Sequence, residues 1–163
     1  MSTHSNLSDY DSNTIPDSKD LKVGIVVSKW NSDITESLYD GAYNTLIECS
    51  VSKNNIKRID VPGSFELIYG SKLMINSNVD VVIAIGCVIQ GQTKHFDYVC
   101  QSVSNGIAQL NTLHETPVVF CVLTDINKQQ SLDRSGGKFG NKGVESAITA
   151  IKLCNLGNWF KVF

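Results

Sequence analysis

The stretch Gln90-Gly91-Gln92-Thr93-Lys94-His95-Phe96 places a histidine just behind an apolar run. His95 is one of only 3 histidines in 163 residues. With an unperturbed pKa of about 6.5, an imidazole both takes and gives a proton near neutral pH. Gly91 turns the chain, and Thr93 is a residue type that caps helix N-termini. A helix begun near His95 would therefore aim free backbone N–H groups, and the positive end of its dipole, into a crevice suited to a small anion. Arg134 offers a planar fork of donors that matches phosphate, and the short helical stretch Gln129-Gln130-Ser131-Leu132-Asp133 is expected to aim it into the same crevice.

Two further segments carry the chemistry of a planar ligand. Trp30, between Lys29 and Asn31, supplies a large flat ring. In Val61-Pro62-Gly63-Ser64-Phe65-Glu66, Pro62 and Gly63 force a turn. Ser64, Phe65 and Glu66 are then expected to begin a helix, offering N–H donors, a ring and a carboxylate together, a set that suits a polar heterocycle. Two nucleotide motifs fail. The run Ser135-Gly136-Gly137-Lys138-Phe139-Gly140-Asn141-Lys142-Gly143 is glycine-rich but lacks the order of a Walker A loop, and no G-x-G-x-x-G follows the first strand.

These residues need a scaffold, and its period is legible. Apolar runs at 23–28, 56–61, 79–89 and 118–123 read as strands covered on both faces, as in a parallel sheet. Between them, Ile34, Leu38, Ala42, Leu46 and Cys49 recur at helical spacing. So do Val99, Val103, Ile107 and Leu110, and later Val144, Ala147, Ile148, Ile151 and Cys154. Alternating strand and helix gives right-handed βαβ units and a three-layer α/β/α sandwich. The economical topology is flavodoxin-like, with strand order 2-1-3-4 and the ligand crevice beyond the carboxyl ends of strands 1 and 3. Trp30, Phe65, His95 and Arg134 all follow strands, so all four are expected on one rim.

Bulk properties narrow the partners. Lys and Arg number 14 against 16 Asp and Glu, a net charge of -2 without long runs of either sign, which disfavours nucleic acid and membrane surfaces. The 5 cysteines lack C-x-x-C spacing and sit in apolar runs, so they read as buried free thiols in a reducing compartment, and no metal site follows. Residues 1–20 are rich in Ser, Asn and Asp and have neither an apolar core nor a basic start. They read as a flexible arm of a cytoplasmic protein. One domain over 21–157 and a short tail at 158–163 complete the chain.

Lys29-Trp30-Asn31-Ser32-Asp33, Asp60-Val61-Pro62-Gly63-Ser64-Phe65-Glu66-Leu67, the stretch from Ala84 to Val99, Pro117-Val118-Val119-Phe120-Cys121-Val122-Leu123-Thr124, and the stretch from Asp133 to Ala147 follow one another with compatible spacing. Taken together, Val23 to Cys154 resembles the 6,7-dimethyl-8-ribityllumazine synthase family of riboflavin biosynthesis. The resemblance implies condensation of 5-amino-6-(D-ribitylamino)uracil with 3,4-dihydroxy-2-butanone 4-phosphate, releasing phosphate and water, with no cofactor. It assigns Trp30 to stacking on the pyrimidine, and Asn31, Ser64, Phe65 and Glu66 to the ring and ribityl chain. Val88 and Ile89 would line the pocket, Gly91, Gln92 and Thr93 would cradle the phosphate, and His95 would move protons. Phe120, Arg134 and Lys142 would arrive from a neighbouring subunit of a pentamer, Arg134 gripping the phosphate. The N-terminal segment would pair with an adjacent subunit's sheet, some relatives build sixty-subunit capsids, and riboflavin synthase is a further partner that the family admits. Trp30 stands where Phe is commoner, Gln90 and Gln92 stand where many relatives carry a basic residue and an acidic or small one, and Ser135 and Gly137 replace the usual Ala and Thr. A non-catalytic flavin- or lumazine-binding module is the alternative use of the same stack and anion site.

Overall fold

The computed structural model describes residues 8–11 and 14–161, with side chains to 157. Four parallel strands, β1 (Val23–Ser28), β2 (Ile56–Val61), β3 (Val81–Ile89) and β4 (Val118–Asp125), form a sheet in the order β2-β1-β3-β4. The five helices are α1 (Ser32–Glu48), α2 (Leu67–Ile75), α3 (His95–Leu113), α4 (Lys128–Arg134) and α5 (Lys142–Lys161). A small antiparallel hairpin, β5 (Ser135–Gly137) and β6 (Gly140–Asn141), links the last two helices.

Period-2 alternation sorts the strand residues into two apolar layers. Val23, Ile25, Val27, Ile83, Ile85, Cys121 and Leu123 meet Ile34, Leu38, Ala42 and Leu46 of α1 and Ala147 and Ile151 of α5. Val26, Val82, Ala84, Val118 and Val122 meet Leu67 and Met74 of α2 and Val103, Ile107 and Leu110 of α3. The expected three layers and strand order are therefore those of the molecule. Each large apolar side chain fully buried here contributes roughly 1.5 to 3 kcal/mol. β4 extends two residues past its apolar run, because Val88 and Ile89 of β3 offer Thr124 and Asp125 ladder partners.

β2 departs from the expected coverage on both faces. It is the sheet edge, only Val61 within it is buried, and Lys57, Arg58 and Asp60 interrupt its apolar character. Charged side chains on an edge blunt pairing with other chains. The Arg58 guanidinium grips the Glu36 carboxylate at 2.8 and 2.6 Å, reaches Asp60 at 2.9 Å and lies 4.2 Å above the Tyr39 ring. The hydrogen bonds from Arg58 hold the Glu36 carboxyl below its ordinary value of 4.5. The folded-state value is thus the lower one, so the pair stabilises above about pH 4.5 and its contribution is lost as pH falls through the folded value. The Glu36 side chain is 47% exposed, which limits the effect. Glu36→Gln is expected to lower Tm by about 1 to 3 °C at pH 7 and to make no difference near pH 3. An equal loss at both pH values would show that the charge is not what matters.

The N-terminal segment touches its own chain where it is described. Ser18 is buried and its hydroxyl donates to the Cys49 carbonyl at 2.5 Å, Ile15 packs on the α1/α5 layer, and the Tyr10 hydroxyl donates to Glu48 at 3.3 Å. Residues 1–7, 12–13 and 162–163 lie outside the described residues. All five cysteines are free, but only Cys87 and Cys121 are buried. Cys49, Cys100 and Cys154 are half-buried on helices or a helix cap, at the margins of the layers rather than inside them.

Candidate active site

The site originates in a mismatch of strand lengths. Pairing of β3 with β1 stops at Ile85, whereas pairing with β4 continues to Ile89. The last residues of β3 thus present an open backbone edge where β1 has already turned away. Asn31 makes that turn, in the left-handed region at φ 59°, a conformation Asn tolerates better than most residues. Its carbonyl accepts the Ile34 and Thr35 amides at 2.9 and 3.0 Å, starting α1. Its side-chain amide donates to the Cys87 carbonyl at 3.0 Å. The Ser64 hydroxyl donates to that same carbonyl at 3.5 Å. Gly86 permits this approach, since a Cβ there would sit 2.7 Å from Ser64 Oγ and 2.8 Å from Leu67 Cδ1. One carbonyl of β3 therefore registers the loops that follow β1 and β2.

Around this junction lies a cleft of about 600 Å³, lined by Trp30 and Asn31 after β1, residues 63–66 after β2, Cys87, Val88 and Ile89 of β3, and Gly91, Thr93, His95, Phe96 and Val99. Its volume suits a small organic ligand. Trp30 is 72% and Phe65 53% exposed, so two aromatic faces stand unburied at its mouth. Glu66 and His95 are its ionisable groups besides the Cys87 thiol, which burial pushes up to about 11. Cys87 is therefore protonated at neutral pH and is no nucleophile. A second cleft, of about 650 Å³, lies at the opposite end of the sheet among Leu21, Val79, Asp80, Pro117 and Leu153. In doubly wound sheets ligands bind beyond the carboxyl ends of the strands, which selects the first.

Several expectations are corrected. Thr93 is not the cap of α3: the cap position is Lys94, without a side-chain cap bond, and Thr93 Oγ1 only accepts the His95 amide at a long 3.4 Å. Ser64, Phe65 and Glu66 do not begin α2, which starts at Leu67; two turns, closed by Leu67 N–H to Ser64 O and Ile68 N–H to Phe65 O, lead into it. This keeps Ser64 close to β3 instead of on a helix. Trp30, Phe65 and His95 line one cleft, whereas Arg134, at the same carboxyl end of the sheet beside Asp125, is outside its lining. The β5–β6 hairpin packs on α1 through hydrogen bonds of Ser37 with Ser135 and Asn141, and Lys128 of α4 pairs with Asp33 of α1 at 2.6 Å, whereas the cleft is walled by the loops after β1 and β2, the end of β3 and the start of α3. Gln92, Phe120 and Lys142 are also outside the cleft lining. Lys142 Nζ bonds Glu145 at 2.6 Å, and Phe120 is 40% exposed on edge strand β4.

Gly63, Cys87, Phe96 and Val99 line the cleft without having been singled out as site residues. Val99 had read as the core face of α3. For Cys87 the useful atom is the carbonyl, which no side-chain pattern reveals.

An open parallel sheet with such a cleft beyond its carboxyl ends defines a flavodoxin-like α/β protein with a small-molecule site. The sequence profile described as 6,7-dimethyl-8-ribityllumazine synthase matches residues 20–158. A protein of that description from Flavobacterium johnsoniae is 63% identical over 149 residues, covering 91% of this chain and 78% of that protein. Those from Christiangramia forsetii and Parabacteroides distasonis are 59% and 50% identical, each over 93% of this chain and over 91% and 96% of their own lengths. The chain belongs to the 6,7-dimethyl-8-ribityllumazine synthase family. No helix among the described residues is long and apolar enough to cross a membrane.

Proposed function

We propose that the cleft condenses 5-amino-6-(D-ribitylamino)uracil with 3,4-dihydroxy-2-butanone 4-phosphate to 6,7-dimethyl-8-ribityllumazine. The observation that carries this reading is the convergence of Trp30, Phe65, Glu66 and His95 on one cleft, in a chain of this family. The uracil amine attacks the ketone and loses water as the imine forms. Removal of a proton from the adjacent carbon expels phosphate and leaves an enol. Tautomerisation to a ketone and attack by the ribitylamino nitrogen then close the ring with loss of a second water. Atoms balance without net oxidation, so the reaction requires no redox cofactor.

Trp30 stacks on the pyrimidine, while Asn31, Ser64, Phe65 and Glu66, with the open edge at Val88 and Ile89, hold its polar rim and the ribityl chain. The phosphate lies by Gly91, Gln92 and Thr93, ahead of the α3 N-terminus, whose first-turn amides lack helical acceptors. A Cβ on Gly91 would meet nothing within 4 Å, so the fold itself leaves this backbone open to approach. His95 moves the protons.

Phe120, Arg134 and Lys142 complete the site from a neighbouring subunit of a pentamer. Supporting this assembly, Phe65, Tyr69 and Leu73 repeat every four residues along and just before α2 at 53%, 65% and 48% exposure, an apolar stripe continuous with the cleft mouth. The unit is the 21–157 domain, with 1–20 as an assembly arm and 158–163 as a tail. The location is cytoplasmic, and riboflavin synthase is the partner that consumes the product. Mass measurement in solution distinguishes a pentamer from a larger shell, and a monomer would sink the shared site.

Mixing the purified protein with both substrates should yield fluorescent lumazine and one phosphate per product. Tight lumazine binding without turnover would instead favour a binding module. Base stacking on an aromatic ring is worth roughly 1 to 3 kcal/mol, so Trp30→Ala should raise the KM for the uracil about tenfold and Trp30→Phe only about twofold. Unchanged steady-state KM in the alanine variant would remove Trp30 from the ring site.

A further inference from the structure

Asp125 ends β4 at 9% exposure, paired with Ile89 at the end of β3, and its carboxylate is served by a short chain of groups. Ser131, fully buried in α4, donates its hydroxyl to Asp125 Oδ2 at 2.8 Å, and Cys87 Sγ–H donates to Ser131 Oγ at 3.5 Å. Arg134 Nη1 lies 3.9 Å from Asp125 Oδ1 while donating to the Gln130 carbonyl at 2.8 Å. At 3.9 Å the contact with Asp125 is an ion pair rather than a hydrogen bond. The guanidinium also stands 5.2 Å from the Phe139 ring centre. Nε and Nη2 make no hydrogen bond among the described residues, so the donating fork is held by one corner and left open on the other.

We infer that Asp125 is a positioning residue for Arg134, fixed in place by Ser131, and that it sets the affinity of the site for the phosphorylated substrate. The inference rests on the proposed role of Arg134 and adds the groups that prepare it. A long arginine side chain at the end of a short helix loses rotamer freedom when it is ordered, and a buried carboxylate needs a cation or donors nearby. Each need is met by the other. Burial of Asp125 in turn restricts its own movement, so the charge that attracts Arg134 has a defined place. Asp125 is not among the residues that line the cleft and is not assigned to the chemistry itself.

The test uses the full chain, with inorganic phosphate as a competitive probe. In Asp125→Asn, KM for the butanone phosphate and Ki for inorganic phosphate should both rise roughly three- to tenfold, with KM for the uracil within about twofold of wild type. In an Arg134→Gln background the same change should add nothing. Ser131→Ala should shift the phosphate parameters in the same direction by a smaller factor, and it carries the test if Asp125→Asn does not fold. Equal losses in both backgrounds, a parallel shift in both KM values, or phosphate parameters unchanged in both single variants would overturn the inference. Absence of lumazine formation by the wild-type protein would instead refute the proposed reaction. Arg134→Gln with unaltered phosphate inhibition would overturn the role of Arg134 and this inference with it.

Discussion

His95→Ala is expected to slow lumazine formation by about a hundredfold while leaving measurable turnover. A placed acid-base group contributes about 10² to 10⁴-fold. The low end applies here because His95 is exposed at the first position of α3, and no hydrogen bond to its ring from the described residues fixes its orientation. Alignment of two reactants can remove roughly 7 to 11 kcal/mol from a barrier, and the variant retains the ring platform, the tied loops and the anion end of the cleft. Single-turnover measurement with both substrates saturating isolates the step. A rate equal to wild type would strip His95 of its role, and a total loss would mean that alignment is not the main contribution.

Arg134→Gln should act on one substrate. Losing a charged hydrogen bond to a phosphate costs roughly 1.5 to 3 kcal/mol, about 10- to 150-fold in kcat/KM for the butanone phosphate. The uracil KM should hardly move, because the proposed grip of Arg134 is on the phosphate alone and the variant keeps Trp30, Phe65 and Glu66 in the cleft. Glutamine preserves length and a donor but not the cation or the fork, so it separates charge from bulk. Normal use of the phosphorylated substrate by this variant would reassign the phosphate grip to the α3 amides alone.

The sheet was readable because its signals are local and redundant. Continuous Val and Ile runs announced β1 and β3, and helical spacing of Ile34, Leu38, Ala42 and Leu46 announced α1. β2 was placed correctly but not its exposure, since edge position depends on strand order rather than on composition. The cleft residues after strands could be named because turns must follow strands and ligands gather there. What stayed hidden is tertiary. The caps at Lys94 and Glu66 depend on how the chain meets the sheet, and the shared Cys87 carbonyl depends on β3 outrunning β1. The resemblance already assigned Arg134 to a neighbour, whereas residue order alone put it on the home rim. In the structure Arg134 is absent from the cleft lining of its own chain, a fact of tertiary packing that residue order does not carry.

That separation of Arg134 from the cleft of its own chain has a genetic corollary. In a ring closed by head-to-tail contacts, every subunit lends a guanidinium to one neighbour and borrows one from the other. Two crippled proteins, one lacking the imidazole and one lacking the guanidinium, would then rescue each other when co-assembled from equal amounts. About a quarter of the junctions would combine the two intact halves. Lone chains, or chains that each held a self-sufficient centre, would show no such complementation.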